Sequence, residues 1–456
     1  MSVVKRIHEN IDGNFEEHLA RIQSYLRQPS ISSTGQGMKE TAEMTCSYIR
    51  ELLGGEATLV PTSGYPVVFG KLKSNTSDRT IFVYGMYDTQ PVEPLDKWVS
   101  PPFEARVVGD RIIARGAINT KGPLIGFFNA LKSILDVTGD LPFNFVIGVE
   151  GEEEQGSIHL PEFADKCADE LKKCEVIYMP MPNQPSEEAP PVLNLGFKGI
   201  VYLELECTTN PLDVHSSQAA ILPNPAWRLI WALNSMRGED GVLVEGFYEN
   251  VEPPSPEDLY YVDSQADTVV KMMTAPYEVK NYRGRSIKAM ARELVFSPSP
   301  INIDGFISGW TGAGTKTIVP CKALAKIDVR LVPNMTGEEV VNKIKNHLKK
   351  HGFDDIEVRV LSNYGWIKTS VKEKVIQAAI KTFKEFGYET VIHPMRPGSA
   401  PMYLFCREPF NMKMLFGGLG HGGLAHAPNE YIMVNGLRNF EKSIVSFLYN
   451  YSQMQP

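Results

Sequence analysis

Three adjacent glutamates, Glu152, Glu153 and Glu154, follow the apolar run "FVIGV" in "FNFVIGVEGEEEQGS". Neighbouring carboxylates at the end of a buried strand repel one another unless a cation or a bound proton relieves the charge. Two such groups can act as an acid and a base, or as metal ligands. A solvated acidic turn is the plainer alternative, and the apolar strand before the triplet argues against it. A second chemistry-bearing stretch is "GGLGHGGLAHAPNEYI", where His421 and His426 sit in a Gly-rich loop. Met86-Tyr87-Asp88, Ile118-Asn119-Thr120 and the loop from Met179 to Asn183 complete the set, each closing an apolar or strand-like segment.

Those segments imply the scaffold. "TIFVYGMYD", "FNFVIGVE" and "EVIYM" read as buried strands, and "FEEHLARIQSYLRQP", "KETAEMTCSYIRELLGG" and "KGPLIGFFNALKSIL" as helices. Strands alternating with helices predict an α/β layer with a mostly parallel sheet, which collects functional groups at the strand carboxyl ends. Beyond Gly196 the pattern changes. "IVYLELECTT" alternates with period two, and strand, helix, strand, helix, strand follow with antiparallel character. The α/β style returns with "SVKEKVIQAAIKTFKEFG". The expected division is therefore residues 1–196 with 364–456 as a catalytic α/β domain, interrupted by residues 197–363 as an inserted α+β domain.

The 456 residues, 43% hydrophobic and 22% charged, describe a globular protein of more than one domain. A net charge of −8 and the lack of a basic arm argue against a nucleic-acid partner. No run of ~18 apolar residues suggests a membrane span. The polar N-terminus has no apolar signal core, so a cytoplasmic protein is expected. The six cysteines include no Cys-x-x-Cys pair and read as reduced thiols.

The segments "YDTQPVEPLDKWVSPPFE", "ARGAINTKGP", "EGEEEQGS", "DVHSSQAA", "INIDGFISGWTGAGTKTIVP", "AKIDVRLVPNMT", "RPGSAP" and "AHAPNEY" occur in an order and spacing that resembles the M20 family of metallopeptidases and amidohydrolases, in its carnosine-dipeptidase-like branch. The resemblance implies an α/β catalytic domain interrupted by a lid domain that also forms a homodimer. It implies that Glu153 is the general base and Glu154 a metal ligand, with His426 as the ligand near the C-terminus. It further implies that His215 reaches a partner's active site to steady an oxyanion, and that Arg330 grips a substrate carboxylate. Asn302, Gly398 and Ser399 fall on substrate-contacting positions.

Three ligand positions depart from the family pattern. Met86 stands where a His is expected, and Asn119 where the bridging Asp is expected. The loop around Pro182, with Met181 and Asn183 as neighbouring alignments, contains no carboxylate. A catalytic zinc needs three protein ligands, and two remain from the family set. Asp88, His421 or Asn119 could complete a single site. The expectation is no metal, or at most one divalent ion, zinc or manganese, with Met86 and Asn119 left to line the substrate site. The function that follows is a hydrolase-type enzyme acting on a small carboxylated amide or related compound, with Glu153 and Glu154 as acid and base. A mononuclear-metal dipeptidase and a non-catalytic ligand-binding relative are the alternatives.

Overall fold

The computed structural model describes residues 2–274 and 285–454 and divides into two compact units. The first comprises Met1–Leu195, Thr369–His393 and Leu404–Pro456, and the second Gly196–Lys368 with Pro394–Tyr403. The mixed α/β architecture with a mostly parallel sheet is as the sequence implies. The division differs from the expected one in three places: the second unit begins at Gly196, extends to Lys368, and also takes in Pro394–Tyr403, which carries Gly398 and Ser399. Backbone pairing gives the reason for the last, since Arg396 N–H donates to Gly196 C=O (2.8 Å) and Lys198 N–H to Arg396 C=O (3.0 Å).

In the first unit six strands lie in the order Glu56–Val60, Val67–Leu72, Asn144–Glu150, Thr80–Met86, Cys174–Met179 and Lys413–Phe416. The last four run parallel and the first two pair antiparallel. Thr80–Met86 and Asn144–Glu150 are buried at every position after the first, which is why both read as unbroken apolar runs. Met86, Glu150, Met179 and Phe416 end the parallel strands, so the loops that follow share one edge of the sheet.

Helices Val3–Arg27, Lys121–Thr138 and Val434–Ser452 pack against one another. The first buries Ile7, Ile11, Phe15 and Ile22, a stripe with the helical period, and Ser2 caps its N-terminus through the Lys5 N–H (3.3 Å). A buried polar cluster ties the three together: His18 lies 2.7 Å from Glu441, and Asn129 donates to the other Glu441 oxygen (2.9 Å). The second predicted helix ends differently, with Met38–Ser47 continuing into one π turn, Tyr48–Leu52.

A smaller antiparallel sheet in the same unit orders Gly422–Gly423, Tyr431–Met433, Arg111–Ile113 and Arg106–Val108. It pairs the hairpin that contains His426 with the strand leading to Asn119, residues 307 apart in sequence.

The second unit is built on a four-stranded antiparallel sheet, Asn302–Ser308, Lys322–Leu331, Gly199–Thr208 and Glu357–Tyr364. Val201, Leu203, Leu205 and Cys207 point into a core shared with helices Pro225–Met236 and Gly337–Lys350, and the intervening residues are half-buried. Helices Pro256–Ser264, Ala266–Thr274 and Ile287–Phe296 form a separate small cluster with Met395. They are short and flanked by Pro, Ser and charged residues, so no long helical period marks them in the sequence.

Candidate active site

The first strand ends at Met86, which is 1% exposed, and the chain turns into Tyr87 and Asp88. Gly151 passes so close to the Tyr87 ring that a Cβ there would sit 2.4 Å from it, so only glycine allows the approach just before the glutamates. Asp88 is fully buried, and its two oxygens accept the backbone N–H groups of Glu153 (3.3 Å) and Glu154 (3.0 Å). That contact accounts for Asp88 beside a Met: it orients the glutamate turn and has no need of an imidazole.

Asn119, Glu154 and His426 converge. Asn119 Nδ2 donates to Glu154 Oε1 (2.8 Å) and lies 2.9 Å from His426 Nε2, which is 3.2 Å from Glu154 Oε2. A proton on Nε2 goes to Glu154; without it the nitrogen accepts from the amide. The Glu154 hydrogen bond accordingly raises the His426 pKa above its ordinary value. His426 is held at φ 64°, the left-handed region that non-glycine residues seldom adopt. Gln90, which the sequence reading did not single out, donates to Glu154 Oε2 (2.9 Å).

Glu153 is half-buried beside this trio. Burial, and then the charges of Glu154 and Asp88, push its pKa up to about 8. Burial also lifts Asp88 to about 7 against the pull of the N–H groups it accepts. The third glutamate of the triplet serves elsewhere, with Glu152 2.9 Å from His159 Nδ1.

A buried ion pair supports the site. Arg115 and Glu430, each 1% exposed in its side chain, meet at 2.7 Å. Glu430 Oε1 accepts the N–H groups of Ile118 (3.1 Å) and Asn119 (2.9 Å), while Arg115 donates to the Pro91 and Ala427 carbonyls. Three loops are thereby joined at one point. Both residues lie within the motifs "ARGAINTKGP" and "AHAPNEY", where a charged residue amid Gly, Ala and Pro was the available signal.

His421 does not join the trio. Its Nδ1 lies 2.9 Å from Gln184 C=O and its Nε2 3.1 Å from the Tyr431 hydroxyl, so both nitrogens are engaged. The loop around Pro182 is stitched to the same Gly-rich segment: Asn183 N–H donates to Gly418 C=O (3.1 Å), and the Asn183 amide to Val192 C=O (2.6 Å).

In the second unit, Arg330 donates to the Ser399 hydroxyl (2.8 Å) and its backbone N–H to the Ser299 hydroxyl (2.6 Å). Asn302 donates to Asp328 (2.9 Å), its cross-strand partner. A Cβ on Gly398 would meet nothing within 4 Å, which leaves open space at that position. His215 is exposed, and its Nδ1 accepts the Ser217 N–H (3.1 Å).

The donor chemistry bears on a metal. Glu154 and His426 offer an oxygen and a nitrogen, but between them stands an amide whose NH2 group donates to Glu154 and lies 2.9 Å from His426 Nε2. A bridging carboxylate would instead offer an oxygen lone pair to each of two cations. Asp88 and His421 spend their donor atoms on backbone and tyrosine partners. Among the described residues no three His, Cys, Asp or Glu side chains are grouped to hold an ion. The residues present do not fit a two-ion centre. No helix among the described residues is long and apolar enough to cross a membrane.

Comparison with known proteins gives one consistent answer. The family model described as peptidase family M20/M25/M40 matches residues 82–450. A Cys-Gly metallodipeptidase of Candida albicans is 25% identical over 463 residues, covering 95% of this chain and 94% of the relative. The Beta-Ala-His dipeptidase of Mus musculus is 27% identical over 84% of this chain and 78% of its own. Among solved structures, an M20 family metallo-carboxypeptidase from Sulfolobus solfataricus aligns with a TM-score of 0.88 at 34% identity, over 96% of this chain and 100% of that one. Human carnosine dipeptidase 1 shares the fold, with a TM-score of 0.78 at 22% identity.

Proposed function

The chain belongs to peptidase family M20/M25/M40, and from that premise we propose that it hydrolyses small carboxylated amides of the dipeptide class at the Asn119–Glu154–His426 cluster, with Glu153 as the proton-transferring group. The observation that carries the reading is the pair of adjacent glutamates in different environments: Glu153 with its proton held on by burial, and Glu154 held by three polar neighbours. In this reading the ionised fraction of Glu153 takes a proton from the attacking water and delivers it to the departing amine, so the group cycles between both protonation states. Arg330 binds the substrate carboxylate through its planar guanidinium, with Ser399 fixing its orientation. His215 serves as the oxyanion donor to the active site of a partner subunit.

The centre is proposed to be metal-poor, because the donor set lacks the bridging carboxylate. The second reading, a dipeptidase with one divalent ion, is favoured by the 3.2 Å approach of His426 to Glu154 and by relatives named metallodipeptidases. Elemental analysis of purified protein separates the two. The expected result is less than one equivalent of bound metal and turnover that survives a chelator. Stoichiometric zinc or manganese with chelator-sensitive turnover establishes the second reading instead.

A homodimer through the second unit is also proposed. Its sheet ends in the edge strand Asn302–Ser308, which shows solvent Ile303 (50% exposed), Phe306 (41%) and Ile307 (56%). An apolar edge of this kind is an invitation to strand pairing. Light scattering is expected to give a dimer that Ile307→Lys converts to monomer; a monomeric parent protein refutes the proposal.

A further inference from the structure

Within the second unit lies a cavity of ≈ 550 Å3 lined by Lys198 and Arg330 together with Ser297 and Ser299. Lys198 is 3% exposed, an unusual burial for a lysine. Its Nζ donates to the carbonyl of Ser297, the residue that ends helix Ile287–Phe296, so its hydrogen-bond acceptor is neutral. Desolvation and the nearby Arg330 charge lower its pKa to about 8, and no carboxylate offsets them. The acids that share the cavity, Glu239, Asp240 and Glu293, are exposed to solvent, and Glu293 is paired with Arg285. Of the four cations that line the cavity, Arg237 donates to the Ile301 carbonyl, Arg285 pairs with Glu293 and Arg330 lies 3.7 Å from Asp328, whereas the buried Lys198 has a neutral acceptor alone. A cavity of that make-up favours an anionic occupant, which offsets the repulsion between Lys198 and Arg330 and supplies the counter-charge that Lys198 lacks.

We infer that the Lys198–Arg330 cavity selects peptides ending in an acidic residue: Arg330 takes the terminal carboxylate and Lys198 the carboxylate of the side chain. The inference rests on the proposed role of Arg330, and it adds a substrate class and a specificity residue to it. A purely structural Lys198, anchoring the end of helix Ile287–Phe296, is the competing explanation.

Calorimetric titration with two matched pairs of probes decides between them. N-acetylglutamate and N-acetylaspartate differ from N-acetylglutamine and N-acetylasparagine by one charge at nearly constant shape. The parent protein is expected to bind at least one acid roughly tenfold more tightly than its amide, as one charge-assisted hydrogen bond allows. Lys198→Met is expected to erase that ratio and Lys198→Arg to preserve it. Equal affinities within both pairs for the parent protein overturn the inference, and that measurement needs no variant to fold. A Lys198→Met protein that melts earlier yet keeps the ratio overturns it too, in favour of the anchoring role. Because binding is read without turnover, a protein that hydrolyses no dipeptide refutes the proposed reaction while leaving this ratio to be judged separately.

Discussion

Glu153→Gln is expected to lower kcat on any dipeptide substrate by about 10^2–10^4-fold, the usual contribution of a positioned general acid–base group, while KM changes little. The substitution keeps the volume and planarity of the side chain, so the turn held by Asp88 through the Glu153 and Glu154 N–H groups is retained. An amide can neither accept the proton of an attacking water nor pass it to the leaving amine. Steady-state kinetics with a parallel melting curve checks the result. Turnover within about threefold of the parent's, with the fold intact, removes Glu153 from the chemistry, since such a change is worth less than ~1 kcal/mol of barrier.

Glu430→Gln is expected to destabilise the first unit by about 3–5 kcal/mol, the cost of leaving one member of a buried ion pair without its partner. The variant keeps a carbonyl oxygen for the Ile118 and Asn119 N–H groups, so those bonds can persist. What is lost is the charge facing Arg115, which is 1% exposed and has only carbonyl acceptors left. Denaturant unfolding followed by a probe in the first unit measures the change. A loss below ~1 kcal/mol would mean that the Arg115–Glu430 pair contributes no more than an exposed one. Turnover is expected to fall as well, because the same carboxylate fixes the backbone of Asn119, whose side chain contacts Glu154 and His426.

The two substitutions probe different levels of the same site. In the proposed reaction Glu153 acts on substrate, and its loss should show in kcat at constant stability. Glu430 acts through Asn119 and should show in stability first. Met86 belongs to neither class: at 1% exposure it fills the end of a buried strand, a place suited to a pliable thioether.

Periodicity and chemistry in the chain determined much on their own. The continuous apolar runs at Thr80–Met86 and Asn144–Glu150 required strands covered on both faces, and the alternation of Gly199–Thr208 required a sheet with one core face. The glutamates had to stand at a strand end, where the parallel sheet gathers its functional loops. The departures at Met86, Asn119 and Pro182 were also legible, since residue type alone limits which atoms can coordinate. Tertiary structure decided the rest, because the deciding contacts join residues far apart in the chain. Only the small sheet brings His426 to Asn119. Only packing pairs Arg115 with Glu430 and sets the burial and neighbouring carboxylates that lift the Glu153 pKa. Only backbone pairing with residues 196–198 assigns Ser399 to the unit of Arg330. Local patterns fix which face a residue turns to the core; distances between faces arise from how the elements pack, and no window of sequence contains them.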